Sequence, residues 1–136
     1  MDLNQITLLV TDFDAALSFY KTLGLRLITS ARDEYARFDL SSGSTTLSLH
    51  LSDVPTVNGP TLYFEVDDID TRYEQLKHAG ITFETAPEDM NWRWREARFR
   101  DPSGNLLCLP WSGGLLPELQ SPQGLKMPIL PGKIEI

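Results

Sequence analysis

The chain has 136 residues, 41% of them hydrophobic, and carries 12 basic against 19 acidic side chains for a formal net charge of −7. That size suits one compact domain or two very small halves around a shared core, no apolar run approaches the roughly 20 residues of a membrane span, and the acidic balance argues against nucleic acid and anionic membranes as partners. Cys108 is the single cysteine, so no internal disulfide can form, and the opening MDLNQITLLV has no basic stretch leading into an apolar core, which together predict a cytoplasmic protein without a signal peptide.

In chain order, residues 6–12 (ITLLVTD) read as a short strand closed by an acidic residue. A helix follows, capped by Thr11 or Asp12, whose side-chain oxygens can accept from unpaired backbone N–H groups. Phe13, Ala16, Leu17, Tyr20 and Leu23 give that helix an apolar stripe, and Gly24 stops it by tolerating the left-handed conformation. Three strand-like segments come next: Leu25–Ala31, Tyr35–Leu40 and Thr45–Leu51. The turn Ser41-Ser42-Gly43-Ser44 separates the last two, as in a hairpin. Val54–Pro60, with two prolines and a glycine, reads as a linker.

The order then repeats. Residues 62–68 (LYFEVDD) form a strand, Asp67 or Asp68 caps a second helix striped by Ile69, Tyr73 and Leu76, and Gly80 stops it. Ile81–Thr85, Trp92–Arg100 and Asn105–Pro110 are the expected strands, with Asp101-Pro102-Ser103-Gly104 as a strong breaker. At an offset of 56 residues Phe13 meets Ile69, Asp14 meets Asp70, Leu17 meets Tyr73, Tyr20 meets Leu76 and Gly24 meets Gly80. Matched glycine stops and flanking strands make an internal duplication a better account than two chance amphipathic helices. The expected class is α+β, with βαβββ modules at 1–53 and 61–111, a linker at 54–60 and a C-terminal extension at 112–136. That extension holds four prolines and four glycines in 25 residues and reads as a tail lying on the domain or on a partner subunit.

Three features carry a resemblance: the paired βαβββ order, the Val-x-Asp-Phe-Asp helix entry with Ser18-Phe19-Tyr20 and Leu23-Gly24 behind it, and Asp101-Pro102-Ser103-Gly104-Asn105-Leu106. Together they resemble the vicinal-oxygen-chelate superfamily, the glyoxalase, bleomycin-resistance and extradiol-dioxygenase group, over residues 3–110. The resemblance implies eight strands curled into a U-shaped cleft, with metal ligands, in the enzymes, on the first and last strand of each half. Carried over, those positions fall on Gln5, Ser48, Thr61 and Cys108. Catalytic divalent sites favour imidazole and carboxylate. Glutamine serves in some glyoxalases, but two neutral hydroxyls and a lone cysteine complete a poor set, so neither a metal nor another cofactor is expected. A displaced site from His50 and Glu65, on the same strand faces as Ser48 and Thr61, has too few ligands. His78 reads as a helix C-terminal residue meeting the helix dipole.

Without a metal the superfamily's chemistry lacks its Lewis acid, and no nucleophile elbow or phosphate loop stands out. No catalytic residue is assigned. Trp92-Arg93-Trp94-Arg95-Glu96 is similar to the tryptophan-x-x-Arg-Glu segment of metal-free bleomycin-resistance-type binders, with Trp92, Arg95 and Glu96 on matching positions. Strand alternation puts Trp92, Trp94, Glu96 and Arg98 on one face, and tryptophan faces offer flat contacts that also attract cations. The expected ligand-binding residues are His50, Tyr63, Trp92, Trp94, Glu96 and Arg98. The expected function is binding or sequestering a drug or other small molecule, aromatic or cationic, by a homodimer. The alternatives weighed are a metal-dependent glyoxalase- or dioxygenase-like enzyme and a structural or regulatory dimer.

Overall fold

In the computed structural model, residues 1–40, 42–91 and 94–111 are described; Trp92 and the 112–136 extension lie outside them. Ten elements follow in chain order: β1 (Gln5–Val10), α1 (Phe13–Leu23), β2 (Arg26–Ala31), β3 (Tyr35–Asp39), β4 (Thr46–Leu51), β5 (Thr61–Tyr63), α2 (Ile69–His78), β6 (Glu88–Asp89), β7 (Arg95–Arg100) and β8 (Leu106–Trp111). They build two four-stranded sheets of identical topology, β1-β4-β3-β2 and β5-β8-β7-β6. In each, the first strand runs parallel to the fourth and the hairpin partners run antiparallel. The duplication read from the sequence is a duplication of structure.

Local chemistry explains both helices. Asp12 caps α1 by accepting from the Ala15 amide at 3.1 Å, and Asp68 caps α2 by accepting from the Thr71 amide at 3.2 Å. The Thr71 backbone and hydroxyl bonds also hold the Asp68 carboxyl below its ordinary pKa. Gly24 ends α1 at φ 111°, a left-handed conformation that favours glycine. His78 is the last residue of α2, near the carbonyl end of the dipole.

Strand alternation sorts each sheet into two faces. Leu8, Val10, Ala36, Phe38, Leu47 and Leu49 of the first sheet turn inward, as do Leu62, Ala97, Phe99, Leu107 and Leu109 of the second. With Phe13, Ala16, Tyr20, Ile69 and Leu76 from the helices they form one continuous core. Phe19 bridges the halves, its ring 6.1 Å from Phe99 and 5.0 Å from Tyr20.

A polar junction locks the halves in register. The Tyr20 hydroxyl donates to Asp101 Oδ2 at 2.7 Å, and Asp101 Oδ1 accepts from the Ser103 and Asn105 amides, each at 2.9 Å. Asn105 Nδ2 donates to Asp101 Oδ2 at 2.8 Å and to the Leu9 carbonyl at 3.0 Å. Burial, then the Asp101 charge, pushes the Tyr20 phenol far above its ordinary pKa. The Asp-Pro-Ser-Gly-Asn turn therefore does more than break a hairpin: it satisfies buried polar groups where the halves meet.

The second half departs from expectation in its strands, beginning with the one expected over 62–68, which is confined to Thr61–Tyr63. Ile81–Thr85 forms no strand: Phe83 makes an isolated bridge to Phe99, and the short edge strand lies later, at Glu88–Asp89. The amides of Glu84 and Thr85 both point to the Arg98 carbonyl, and the Arg98 amide donates to the Thr85 hydroxyl at 3.0 Å instead of to a backbone carbonyl. That side-chain bond interrupts the ladder, and Pro87 follows it without an N–H to give. The strand expected over Trp92–Arg100 is observed from Arg95.

Candidate functional site

The faces turned away from the helices carry the polar residues. On the first sheet, Gln5 Nε2 donates to the Ser48 hydroxyl, and the Tyr35 hydroxyl lies 3.2 Å from Ser48 Oγ and 3.4 Å from Gln5 Nε2. Two of the four ligand positions that the resemblance implies are thus engaged with each other in a neutral hydrogen-bonded triangle. Arg37 beside them donates to Thr46 Oγ1 at 2.9 Å. His50 is exposed near the end of β4, opposite Tyr35 on β3.

The second sheet carries a denser cluster. Glu96, at the second position of β7, is only 2% exposed, and both its oxygens are bonded: Trp94 Nε1 donates to Oε1 at 2.9 Å and Arg98 Nε to Oε2 at 2.6 Å. Arg98 opposes Cys108 on β8, and Cys108 opposes Tyr63 on β5, so the three stand in one row across the sheet. The Tyr63 ring is half exposed and lies 5.9 Å from the Trp94 ring at 43°. Burial opposes the Arg98 charge, but hydrogen bonds to Glu96 and Tyr63 outweigh it and hold its pKa above the ordinary value. Burial, reinforced by Glu96, pushes the Cys108 thiol up to about 12. Cys108 is therefore a neutral thiol at physiological pH, poor as nucleophile or ligand.

The expected binding residues divide accordingly. Tyr63, Trp94, Glu96 and Arg98 come together on one face of the second sheet. His50 stands on the first sheet, and among the described residues no hydrogen bond or ion pair joins it to that cluster or to Glu65. Trp92 lies outside the described residues. Arg95 points to the opposite face, where it pairs with Asp70 of α2 at 2.9 Å and Asp89 of β6 at 3.2 Å. The hydrogen bond to Asp70 is the main reason its charge is favoured. Adjacent members of the Arg-Glu pair thus serve different faces: Arg95 fastens helix and edge strand, Glu96 organises the open wall. Tyr35 is a contribution sequence reasoning missed, whereas Cys108 is named there only as a carried-over ligand position. Only the strand registers place them.

The residues do not fit a divalent metal. Gln5 and Ser48 satisfy one another, Cys108 is held protonated, and Thr61 offers only a hydroxyl. Among the described residues no group of three or more His, Cys, Asp or Glu side chains is placed to hold a metal ion.

The family model for the glyoxalase/bleomycin resistance protein/dioxygenase superfamily matches residues 2–109. The chain belongs to that superfamily. Uncharacterized protein YraH of Bacillus subtilis (strain 168) is 36% identical over 122 residues, covering 79% of this chain and 95% of that protein. A superfamily member from Sphaerobacter thermophilus superposes with a TM-score of 0.69 at 28% identity, over 82% of this chain and 97% of the other. Lactoylglutathione lyase from Agrobacterium tumefaciens superposes with a TM-score of 0.67 at 21% identity, over 82% of this chain and 94% of the other, and shares the superfamily fold. Among the described residues no helix is long and apolar enough to cross a membrane.

Proposed function

We propose that this superfamily member is a metal-independent small-molecule binder that sequesters an aromatic ligand, in the manner of a drug- or antibiotic-binding protein. The observation carrying this reading is the second-sheet wall: two aromatic rings, Tyr63 and Trp94, beside an Arg98 oriented by a buried Glu96. Binding pockets pair aromatic surface with a few well-placed polar groups, which is the composition found here. The polar face of each sheet is left uncovered by its own helix, and a homodimer that sets one copy's first sheet over the other copy's second sheet would close a cleft and bring His50 to it. The cytoplasm is the proposed setting, since the only cysteine is a buried thiol.

A thermal-shift screen of aromatic antibiotics against metal-free and metal-supplemented protein tests the reading, because a ligand of the folded state raises its stability by mass action. The expected result is a shift that chelator leaves unchanged and that Trp94→Ala reduces, with affinity falling by about 1–3 kcal/mol. Stoichiometric, tightly held nickel, zinc or iron in the purified protein would overturn the metal-independent reading. A screen without any shift would leave a structural dimer, and sedimentation of the free protein reads the dimer directly.

A further inference from the structure

We infer that Arg98 sets the ligand class of this wall, and that the group it recognises is the carboxylate of an aromatic acid. The inference rests on the binding role proposed above and narrows it. Its first support is the state of Glu96. Both carboxylate oxygens already accept hydrogen bonds, and the group is 2% exposed. Glu96 therefore offers a cationic ligand no open oxygen edge, and its charge is matched by Arg98. It is a positioning residue that aims the guanidinium.

The second support is how Arg98 is held. A guanidinium is a planar fork with two edges that can meet a carboxylate, one through Nε and one through the paired terminal nitrogens. Glu96 takes Nε. Among the described residues no second carboxylate pairs with Arg98, whose side chain is 37% exposed. Tyr63 reaches the same guanidinium by a hydrogen bond, and a carboxylate from outside the chain would be the terminal edge's first acidic partner. Third, the row Tyr63–Cys108–Arg98 has its smallest side chain in the middle. The thiol is a low, uncharged floor between a phenol ring and a guanidinium, and Trp94 adds a second ring next to Tyr63. A flat ring lying against Tyr63 and Trp94 would carry its carboxylate to Arg98. The chain's net charge of −7 opposes anions at long range, but that field is screened beyond about 8 Å at physiological ionic strength, whereas the Arg98 contact is local.

Three probes with one ring system and different charge test this: 2-naphthoate, 2-naphthamide and 2-naphthylmethylammonium, titrated calorimetrically into the intact chain. Naphthoate is expected to bind at least tenfold more tightly than the amide, with the cation weakest. Arg98→Met should bring naphthoate down to the affinity of the amide. Arg98→Lys keeps a positive charge beside Glu96, guarding against an unfolded variant, and should lose most of the naphthoate preference because the fork is gone. The Arg98 Nε–H resonance should shift with naphthoate and not with the amide. Equal binding of all three, weakened together by Tyr63→Ala, would overturn the carboxylate inference and leave the aromatic wall standing. Preference for the cation would do the same. Absence of binding by all three would overturn both.

Discussion

Glu96 concentrates the polar energetics of the wall in one side chain. A carboxylate removed from water is tolerated only when its oxygens are bonded and its charge is paired, and Trp94 and Arg98 meet both conditions. Glu96→Gln keeps the shape but exchanges one acceptor oxygen for an amide donor that faces either the indole N–H or the guanidinium. The expected cost is about 1–3 kcal/mol of stability, read as a lower urea midpoint at unchanged slope. A neutral result would show that the pair is dispensable for folding. Alternation along β7 was enough to place Trp94, Glu96 and Arg98 on one face from the sequence. That the indole reaches two residues along its own strand to Glu96 depends on side-chain rotamers, which no residue pattern encodes. The thiol floor depends on the pairing of β5 with β8, chain segments far apart in sequence.

Among the elements, hydrophobic period and capping chemistry made both helices legible, because cap and stripe are local. Strand β6 was not legible, because a single hydrogen bond from the Arg98 amide to the Thr85 hydroxyl decides where the ladder breaks. The hairpin joining β2 to β3 is a second case. Its central residues, Arg32 and Asp33, have φ of 56° and 53°, and the Glu34 amide donates to the Ala31 carbonyl at 3.0 Å. Two left-handed residues in that position define a turn that favours Asn-Gly, since other side chains meet their own backbone there. Replacing the pair, Arg32→Asn with Asp33→Gly, should relieve that conflict. The double variant is expected to gain about 0.5–1 kcal/mol, because the native backbone suits the new residues. Equal or lower thermal stability would mean that Arg32 and Asp33 adopt this conformation without cost. Either way the turn was invisible to composition: Arg-Asp is not a turn dipeptide, and tertiary pairing of the strands imposes it.

For the whole molecule, the repeat read from the sequence correctly anticipated two sheets of one topology, while the junction that joins them came only with the structure. Both of the strongly shifted protons lie along that architecture: Tyr20 at the junction and Cys108 on the second sheet. Each is an acid whose charged form is disfavoured by burial, so each makes the folded state hold a proton that the unfolded chain releases. For Cys108 the unfolded thiol gives up its proton from about its ordinary value of 9.0, while the folded thiol keeps it until about 12. Between those values the unfolded chain binds fewer protons than the folded one, so stability falls as pH rises. The slope reaches about 1.4 kcal/mol per pH unit for one fully shifted group, and Tyr20 adds to it above its ordinary value of 10.0. Urea midpoints taken in steps from pH 8 to pH 10.5 should show this loss in the native chain. Cys108→Ala should flatten the dependence in the lower part of that interval, and Tyr20→Phe in the upper part, whatever each does to stability at pH 8. A Cys108→Ala profile parallel to the native one would mean that the thiol ionises as readily folded as unfolded. The floor of the wall would then be an anion in the alkaline range, and Arg98 would stand between two negative groups instead of beside one.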